Sequence, residues 1–201
     1  ASRLLMGDLP YRDWASHHTP GSYFLTALYF LFVGNSNWAS RSLMAVVSSL
    51  TGVVLQAISQ RFVRGPARYL PWVLWTCTGI FEKPGLNYHW FGTLSSCLTL
   101  YCVALWSQPQ ETASRRVQWA TGMCAALSSW MIQSNGLSSL LMIVLVWIRL
   151  RPPGLSRVIA GYVATQLVLW LPWMGYWPQV WQNHFDVLKT HIQFNTQGYS
   201  W

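Results

Sequence analysis

A short polar run near the amino terminus holds the residues best suited to chemistry. It reads GDLPYRDW over residues 7–14 and is followed by His17 and His18. The run places two of the chain's five acids, Asp8 and Asp13, beside an arginine and two imidazoles, although the chain as a whole is apolar. A carboxylate in such surroundings can accept a proton from a hydroxyl, bind a metal ion or hydrogen-bond a polar ligand. This run is therefore the first candidate site.

Each of these residues also has a purely structural interpretation. In a helix, Asp13 and His17 would share a face as an i, i+4 pair, so that the imidazole could orient the carboxylate or assist a metal. The alternative for Asp13 is a solvated loop acid, and the alternative for Asp8 is a turn residue. His17 and His18 could equally be interfacial side chains whose rings rest on apolar surface.

A second polar cluster interrupts apolar sequence in the middle of the chain. It contains Glu82, Lys83, Asn87, Tyr88 and His89. This mixture of charges, an amide, an imidazole and a ring can bind a sugar by hydrogen bonding and stacking, and His89 is its strongest candidate. The alternative is a local Glu82–Lys83 surface ion pair, worth less than ~1 kcal/mol.

Three further polar residues lie close to apolar segments. Gln133 and Asn135 stand at a bend between two such segments, where they either contact a ligand or satisfy backbone groups freed by the turn. Arg41 opens an apolar segment and either meets a phosphate or anchors the chain among lipid headgroups.

Composition indicates an integral membrane protein. Hydrophobic residues make up 52% of the chain and charged residues 9%, and 14 of the 201 residues are tryptophan, which is enriched at membrane interfaces. The net charge of +8 is dispersed in small clusters rather than along a stripe, so a nucleic-acid partner is not expected. The four cysteines match no zinc or redox spacing and are expected to be packing residues.

Seven apolar segments follow one another along the chain, and several are shorter than the ~20 residues of a typical span. They are Tyr23–Val33, Leu43–Ile58, Tyr69–Ile80, Phe91–Trp106, Val117–Ile132, Leu137–Ile148 and Val158–Trp173. The first is short, follows a Pro-Gly pair and precedes the polar run GNSN, so it is predicted to lie in the membrane interface. The other six are predicted spans.

Arginines predict the orientation of these spans. Eight of them form three groups, each in one of three alternate loops. The groups are Arg61, Arg64 and Arg68; Arg115 and Arg116; and Arg149, Arg151 and Arg157. The positive-inside rule puts these loops in the cytoplasm and the acids Asp8, Asp13, Glu82 and Asp186 on the other side.

The predicted fold is therefore an all-α integral membrane protein, a polytopic helical bundle of about six spans with an extracytoplasmic juxtamembrane helix. Residues 1–42 would form an extracytoplasmic loop with that helix, residues 43–173 the bundle, and residues 174–201 an extracytoplasmic amphipathic tail. The chain begins and stops abruptly, so it is expected to be a fragment of a longer protein.

Two linked motifs resemble the GT-C fold membrane glycosyltransferases of the protein mannosyltransferase and aminoarabinose transferase kind, the glycosyltransferase 39-like superfamily. The run at 7–14 with HTPG at 18–21 is similar to the first extracytoplasmic loop of that family. The run LFVGNSNWASR at 31–41 is similar to its Leu-Phe-Gly, Asn-Glu-Trp-Ala-Ala-Arg segment. A weaker likeness covers IQSNG at 132–136, where Ile132 replaces a basic residue of the family.

The resemblance implies inverting transfer of a sugar from a polyprenyl-phosphate donor to an acceptor hydroxyl, on the extracytoplasmic side of a bacterial plasma membrane. It makes Asp13 the general base. The residues leave open whether a divalent metal ion takes part; its ligands, if it does, are Asp8, Asp13 and His17. The expected substrate-binding residues are Asp8, His17, His18, Arg41, Glu82, Lys83, Asn87, Tyr88, His89, Gln133 and Asn135. The alternative is a membrane transporter or assembly subunit that binds lipid-linked sugars without chemistry.

Overall fold

A computed structural model describes residues 1–14, 19–82, 88–108, 114–182, 185, 186 and 189. In this part of the chain about 84% of the residues are helical and none forms a strand, which confirms the all-α class. The α-helices are α1 (Ser2–Leu5), α2 (Gly21–Val33), α3 (Asn37–Phe62), α4 (Leu70–Glu82), α5 (Tyr88–Trp106), α6 (Arg115–Met131), α7 (Gln133–Leu150) and α8 (Leu155–Trp170).

Each predicted apolar segment coincides with a helix, but the predicted number of spans is not confirmed. Among the described residues, three helices are long and apolar enough to cross a membrane, namely Asn37–Phe62, Gln133–Leu150 and Leu155–Gln182. The last of these continues α8 through a 3-10 turn at Leu171–Tyr176. Helix α4 has 13 residues, or about 20 Å at 1.5 Å per residue, which is shorter than the hydrocarbon core.

Local signals explain where the helices begin and end. The Ser36 hydroxyl caps α3 by accepting a hydrogen bond from the Ala39 backbone N–H at 3.1 Å. Ile132 separates α6 from α7 with extended backbone angles. Gly154 (φ 81°) precedes α8 in the left-handed conformation that glycine adopts without a steric penalty.

One end of the bundle gathers the polar run at 7–14, the start of α5 and the break between α6 and α7; we name it the loop end. The indole N–H of Trp173 donates to the carbonyl of Pro10 at 3.3 Å, which joins the run to the far end of α8. Gly92 in α5 packs so closely against Asn135 in α7 that an added Cβ would lie 2.8 Å from the amide nitrogen.

The opposite end carries the three groups of arginines predicted to face the cytoplasm, and we name it the arginine end. Arg157 donates to the Gln118 side chain at 2.8 Å, which connects the start of α8 to the start of α6. Arg61 at the end of α3 stacks over the Tyr101 ring of α5 at 5.2 Å. The predicted grouping of the three arginine loops, opposite Asp8 and Asp13, is thus present in the fold.

Helix α2 lies across the loop end. Its first residue, Gly21, packs against the backbone carbonyl of Trp130 at the end of α6. In its later half, the hydroxyl of Tyr29 lies 2.9 Å from that of Ser42 near the start of α3. Since both neighbours belong to the same end of the bundle, α2 runs over this end rather than along the bundle.

Hydroxyl residues fill much of the contact between helices, while large apolar side chains face outward. Thr51, Thr99, Thr121 and Ser128 are fully buried, each with 0% exposure. By contrast, Leu137, Leu167 and Val168 are largely exposed. Small and hydroxyl residues at helix contacts with apolar side chains outside are typical of helices packed within lipid.

Candidate functional site

The polar run at 7–14 forms a compact turn rather than a helix. The backbone N–H of Tyr11 donates to the carbonyl of Trp14 at 2.9 Å, and the N–H of Asp13 donates to the carbonyl of Leu9 at 2.9 Å. Tyr11 has a positive φ of 68°, which is uncommon for a residue with a bulky side chain. The surrounding structure holds this conformation because the Tyr11 ring is buried, with 3% exposure.

Asp13 is held by two donors within this turn. One carboxylate oxygen accepts the backbone N–H of Leu9 at 2.7 Å and the Nε of Arg12 at 2.8 Å. The hydrogen bond from Arg12 lowers the pKa of Asp13 below its ordinary value, and the backbone hydrogen bond from Leu9 adds to this effect. Asp13 is therefore ionised at neutral pH and remains so in moderately acidic solution.

Arg12 connects the carboxylate to the rest of the loop end. Its Nη2 donates to the Gly7 carbonyl at 3.1 Å. The pKa of Arg12 is raised mainly by its hydrogen bond with Asp13 and further by a hydrogen bond with Tyr176. Tyr176 ends the 3-10 turn that follows α8. Arg12 thus orients Asp13 relative to the segment after the last long helix.

A second ion pair stands beside the first. Arg3 contacts Asp8 with an Nε–Oδ2 distance of 2.9 Å, and its Nη2 donates to the backbone carbonyl of Asp13 at 3.3 Å. The Arg3 guanidinium also stacks over the Trp14 ring at 4.8 Å. Two carboxylates and two guanidinium groups, from this turn and from α1, therefore lie side by side. Asp8 is half-buried and the other three residues are exposed.

Aromatic side chains fix this turn to the bundle. Tyr11 belongs to one buried cluster with Trp90 of α5, Trp130 of α6 and Trp173 beyond α8. The Phe24 ring of α2 packs edge-on against Trp173 with centroids 5.2 Å apart. The polar run is therefore seated beside the start of α5 and the break between α6 and α7.

The structure locates several other predicted site residues at the same end. His89 is exposed in the first turn of α5, and Gln133 is exposed at the first position of α7. Asn135 is half-buried and lines a groove between α5 and α7. Arg41 is exposed in the first turns of α3, outside the two ion pairs formed by the described residues.

The remaining predicted residues belong to parts of the chain outside this description. His17, His18, Lys83 and Asn87 lie outside the described residues, as do the side chains of Glu82 and Tyr88. The helix in which Asp13 and His17 would share a face does not form at Asp13, which lies in a turn. Among the described residues, no group of three His, Cys, Asp or Glu side chains is arranged to hold a metal ion.

Two features of the site went unrecognised in the sequence. Arg12 is the main partner of Asp13, and its adjacency to the acid was the available signal. The hydroxyl residues of the groove are Thr93 and Ser96, which are three residues apart on α5, and Ser138 and Ser139, which lie three and four residues after Asn135 on α7. That spacing is shared by ordinary helix contacts, so it gave no specific signal.

Replacing Arg12 with glutamine is expected to raise the pKa of Asp13 towards its ordinary value, because the largest cause of its depression is removed. A carboxylate with a depressed pKa stabilises the fold above its unfolded pKa, and this stabilisation is lost as the pH falls through the folded pKa. In Arg12→Gln, this stabilisation should therefore be smaller, and its loss should be complete at a higher pH. The chain has three aspartates, Asp8, Asp13 and Asp186, so carboxyl ¹³C NMR can follow each titration.

The matched control for this measurement is Arg3→Gln. Arg3 touches the backbone carbonyl of Asp13 rather than its carboxylate and contributes least to the pKa depression. Its removal should shift Asp13 less than the removal of Arg12 does. An unchanged Asp13 titration in Arg12→Gln would show that the ion pair does not set its protonation.

The turn is equipped to bind and polarise a hydroxyl group. An ionised carboxylate can accept a hydrogen bond from an alcohol, and the neighbouring guanidinium groups can bind an anion such as a phosphate. Comparison of the chain with protein-family models, with curated proteins and with solved structures gave no match.

Proposed function

We propose that this chain is a GT-C type membrane glycosyltransferase, which moves a sugar from a polyprenyl-phosphate donor to an acceptor hydroxyl with inversion at the anomeric carbon. The observation that carries the proposal is the Asp13 carboxylate, kept ionised by Leu9 and Arg12 in a turn seated on the loop end of a helical bundle. The resemblance of the runs at 7–14 and 31–41 to this family supports the same conclusion.

In the proposed reaction, the acceptor hydroxyl hydrogen-bonds to Asp13 and gives up its proton to the carboxylate as its oxygen bonds to the anomeric carbon. The bond from that carbon to the phosphate oxygen breaks, and the phosphate leaves with the electron pair. Arg12 and Arg3 lie beside Asp13 and supply positive charge for the departing phosphate. Arg41 is a further cation at the start of α3.

The membrane setting of this proposal has its own support. In the part of the chain that the structure describes, three helices are long and apolar enough to span, and the exposed surface of α2 carries Leu28, Leu31 and Phe32. We propose that α3 to α8 all cross the bilayer, with the shorter helices tilted or flanked by aromatic side chains, and that α2 is the juxtamembrane helix. With the arginine end in the cytoplasm, Asp13 faces the extracytoplasmic side of the plasma membrane.

One observation favours the alternative, a membrane protein that binds lipid-linked sugars without chemistry. The hydrogen bond from Arg12 lowers the pKa of Asp13, and a general base works best with a pKa near the working pH. In the glycosyltransferase, donor phosphate would have to draw Arg12 away from Asp13 and so restore its basicity. In the binding protein, the ion pair would stay intact.

Deleting the gene tests the proposal directly. Because the reaction consumes a polyprenyl-phosphate sugar, the deletion strain should accumulate that lipid, and re-expression should remove it; mass spectrometry of extracted lipids measures both. The purified protein should also release free polyprenyl phosphate from the accumulated lipid when the acceptor is present. An unchanged lipid pool would refute a role in this pathway, and binding without phosphate release would favour the alternative.

A further inference from the structure

A groove of about 380 Å³ lies between α5 and α7. Most of its surface is apolar and includes Leu100 and Met142, and its polar lining consists of Thr93, Ser96, Cys97, Asn135, Ser138 and Ser139. On each helix the three residues follow one another at i, i+3 and i+4, so they share one face. Two hydroxyl-bearing helix faces therefore enclose one space near the loop end.

Two hydroxyls of this lining are fixed by a third helix. The Ser128 hydroxyl of α6 lies 3.1 Å from that of Ser96 and accepts a hydrogen bond from Ser139 at 3.3 Å. Ser128 is fully buried and Ser139 nearly so. The floor of the groove is thus a preformed polar network rather than a set of mobile side chains.

The other polar groups are available to a ligand. Thr93 donates its hydroxyl proton to the His89 carbonyl at 2.9 Å, and Ser138 donates its own to the Ser134 carbonyl at 3.0 Å, which leaves both oxygens as acceptors. Within the described part of the chain, the Asn135 carboxamide forms no hydrogen bond and offers both a donor and an acceptor.

No side chain that lines the groove is charged. A charged group placed here would lose hydration without gaining a counter-charge, which is costly. An alkyl chain would leave the Asn135 carboxamide without a partner, whereas the four hydroxyls already have partners within the protein. The lining therefore suits a neutral ligand that presents hydroxyl groups to Asn135 and apolar C–H surface to Leu100 and Met142, as a sugar ring does.

We propose that the groove binds the sugar ring of the substrate, and that it selects neutral sugars over uronic acids and amino sugars. This inference rests on the proposed glycosyl transfer, because it names the class of sugar used by that site. The position of the groove agrees with it, since His89 and Gln133, at the first turns of the same two helices, stand at the loop end beside the seated turn.

Cys97 provides a reporter inside the groove. In the full chain carrying Cys77→Ala, Cys102→Ala and Cys124→Ala, Cys97 is the remaining thiol, and its rate of modification by a small methanethiosulfonate reagent can be measured. Methyl glucoside, a neutral probe, should slow this rate about tenfold at a concentration ten times its Kd, which is expected near millimolar. Methyl glucuronide and methyl glucosaminide should protect far less at the same concentration.

Two variants make the result specific to the groove. Asn135→Ala should weaken protection by methyl glucoside, whereas Ser134→Ala, one residue outside the lining, should retain it. A variant that keeps Cys77 as its single thiol should be modified equally with and without glycoside, because Cys77 is exposed outside the groove. Equal protection by all three glycosides, or none by methyl glucoside, would overturn the proposal.

The groove and the reaction can fail separately. If Cys97 is protected but the protein releases no polyprenyl phosphate, the result supports sugar binding in the groove and refutes glycosyl transfer. If the protein releases polyprenyl phosphate but Cys97 is not protected, the result supports glycosyl transfer and refutes this groove as the place where the sugar binds.

Discussion

Replacing Asp13 with asparagine is expected to reduce sugar transfer by about 10²–10⁴-fold, the usual contribution of a general acid–base group. Asparagine has nearly the same shape and can still accept the backbone N–H of Leu9 through its carbonyl oxygen. It cannot accept a proton from the acceptor hydroxyl, and it no longer forms an ion pair with Arg12. The measurement is release of polyprenyl phosphate from the lipid donor by the purified full-length protein.

Two comparisons separate chemistry from folding in this experiment. Asp8→Asn changes the neighbouring carboxylate, which is paired with Arg3, and should have a clearly smaller effect on the rate. Asp13→Glu keeps the charge but moves it, and should recover part of the activity. All three variants should insert into membranes like the original chain. Normal turnover by Asp13→Asn would refute the assigned role, and equal losses in both asparagine variants would point to the electrostatics of the whole turn.

The positions of the helices could be predicted because long apolar runs alternate with arginine, glycine and proline. The number of spans could not, and the reason lies in residues such as Thr99 in α5 and Thr121 and Ser128 in α6. These hydroxyls lower the hydropathy of their helices, yet they are fully buried in the contacts between helices. A hydropathy pattern records composition and does not tell a lipid-facing position from a helix contact.

The candidate site could also be predicted only in part, because some of its residues stand out in the sequence while its shape depends on distant contacts. Asp13 stands out because acids are scarce in this chain, and Asn135 because an amide is unusual in an apolar segment. The turn around Asp13 depends on contacts distant in sequence, such as the hydrogen bond from Trp173 to Pro10, which no local pattern shows. The groove depends likewise on the register of α5 against α7, which is set by packing.

Packing between helices holds the bundle together, and α6 and α8 approach each other very closely where they cross near the arginine end. Gly122 packs against the backbone carbonyl of Val158, and an added Cβ would lie 2.7 Å from the backbone nitrogen of Tyr162. Gly161 of α8 makes the corresponding contact with α6, because a Cβ added to it would lie 2.8 Å from the backbone carbonyl oxygen of Trp119. Because these neighbours are backbone atoms, they can give way only if the two helices separate.

Gly122→Ala is therefore expected to lower the free energy of unfolding by about 1–3 kcal/mol, the usual cost of overpacking a close contact. Gly175→Ala is the matched control, since no atom lies within 4 Å of its Cβ position, and its effect should stay within about 0.5 kcal/mol. Tryptophan fluorescence during unfolding in detergent measures both. Because α8 leads to Trp173, which holds Pro10, separation of α6 and α8 should also weaken the seating of the Asp13 turn. Equal stability of the two variants would show that the helices do not cross at these glycines.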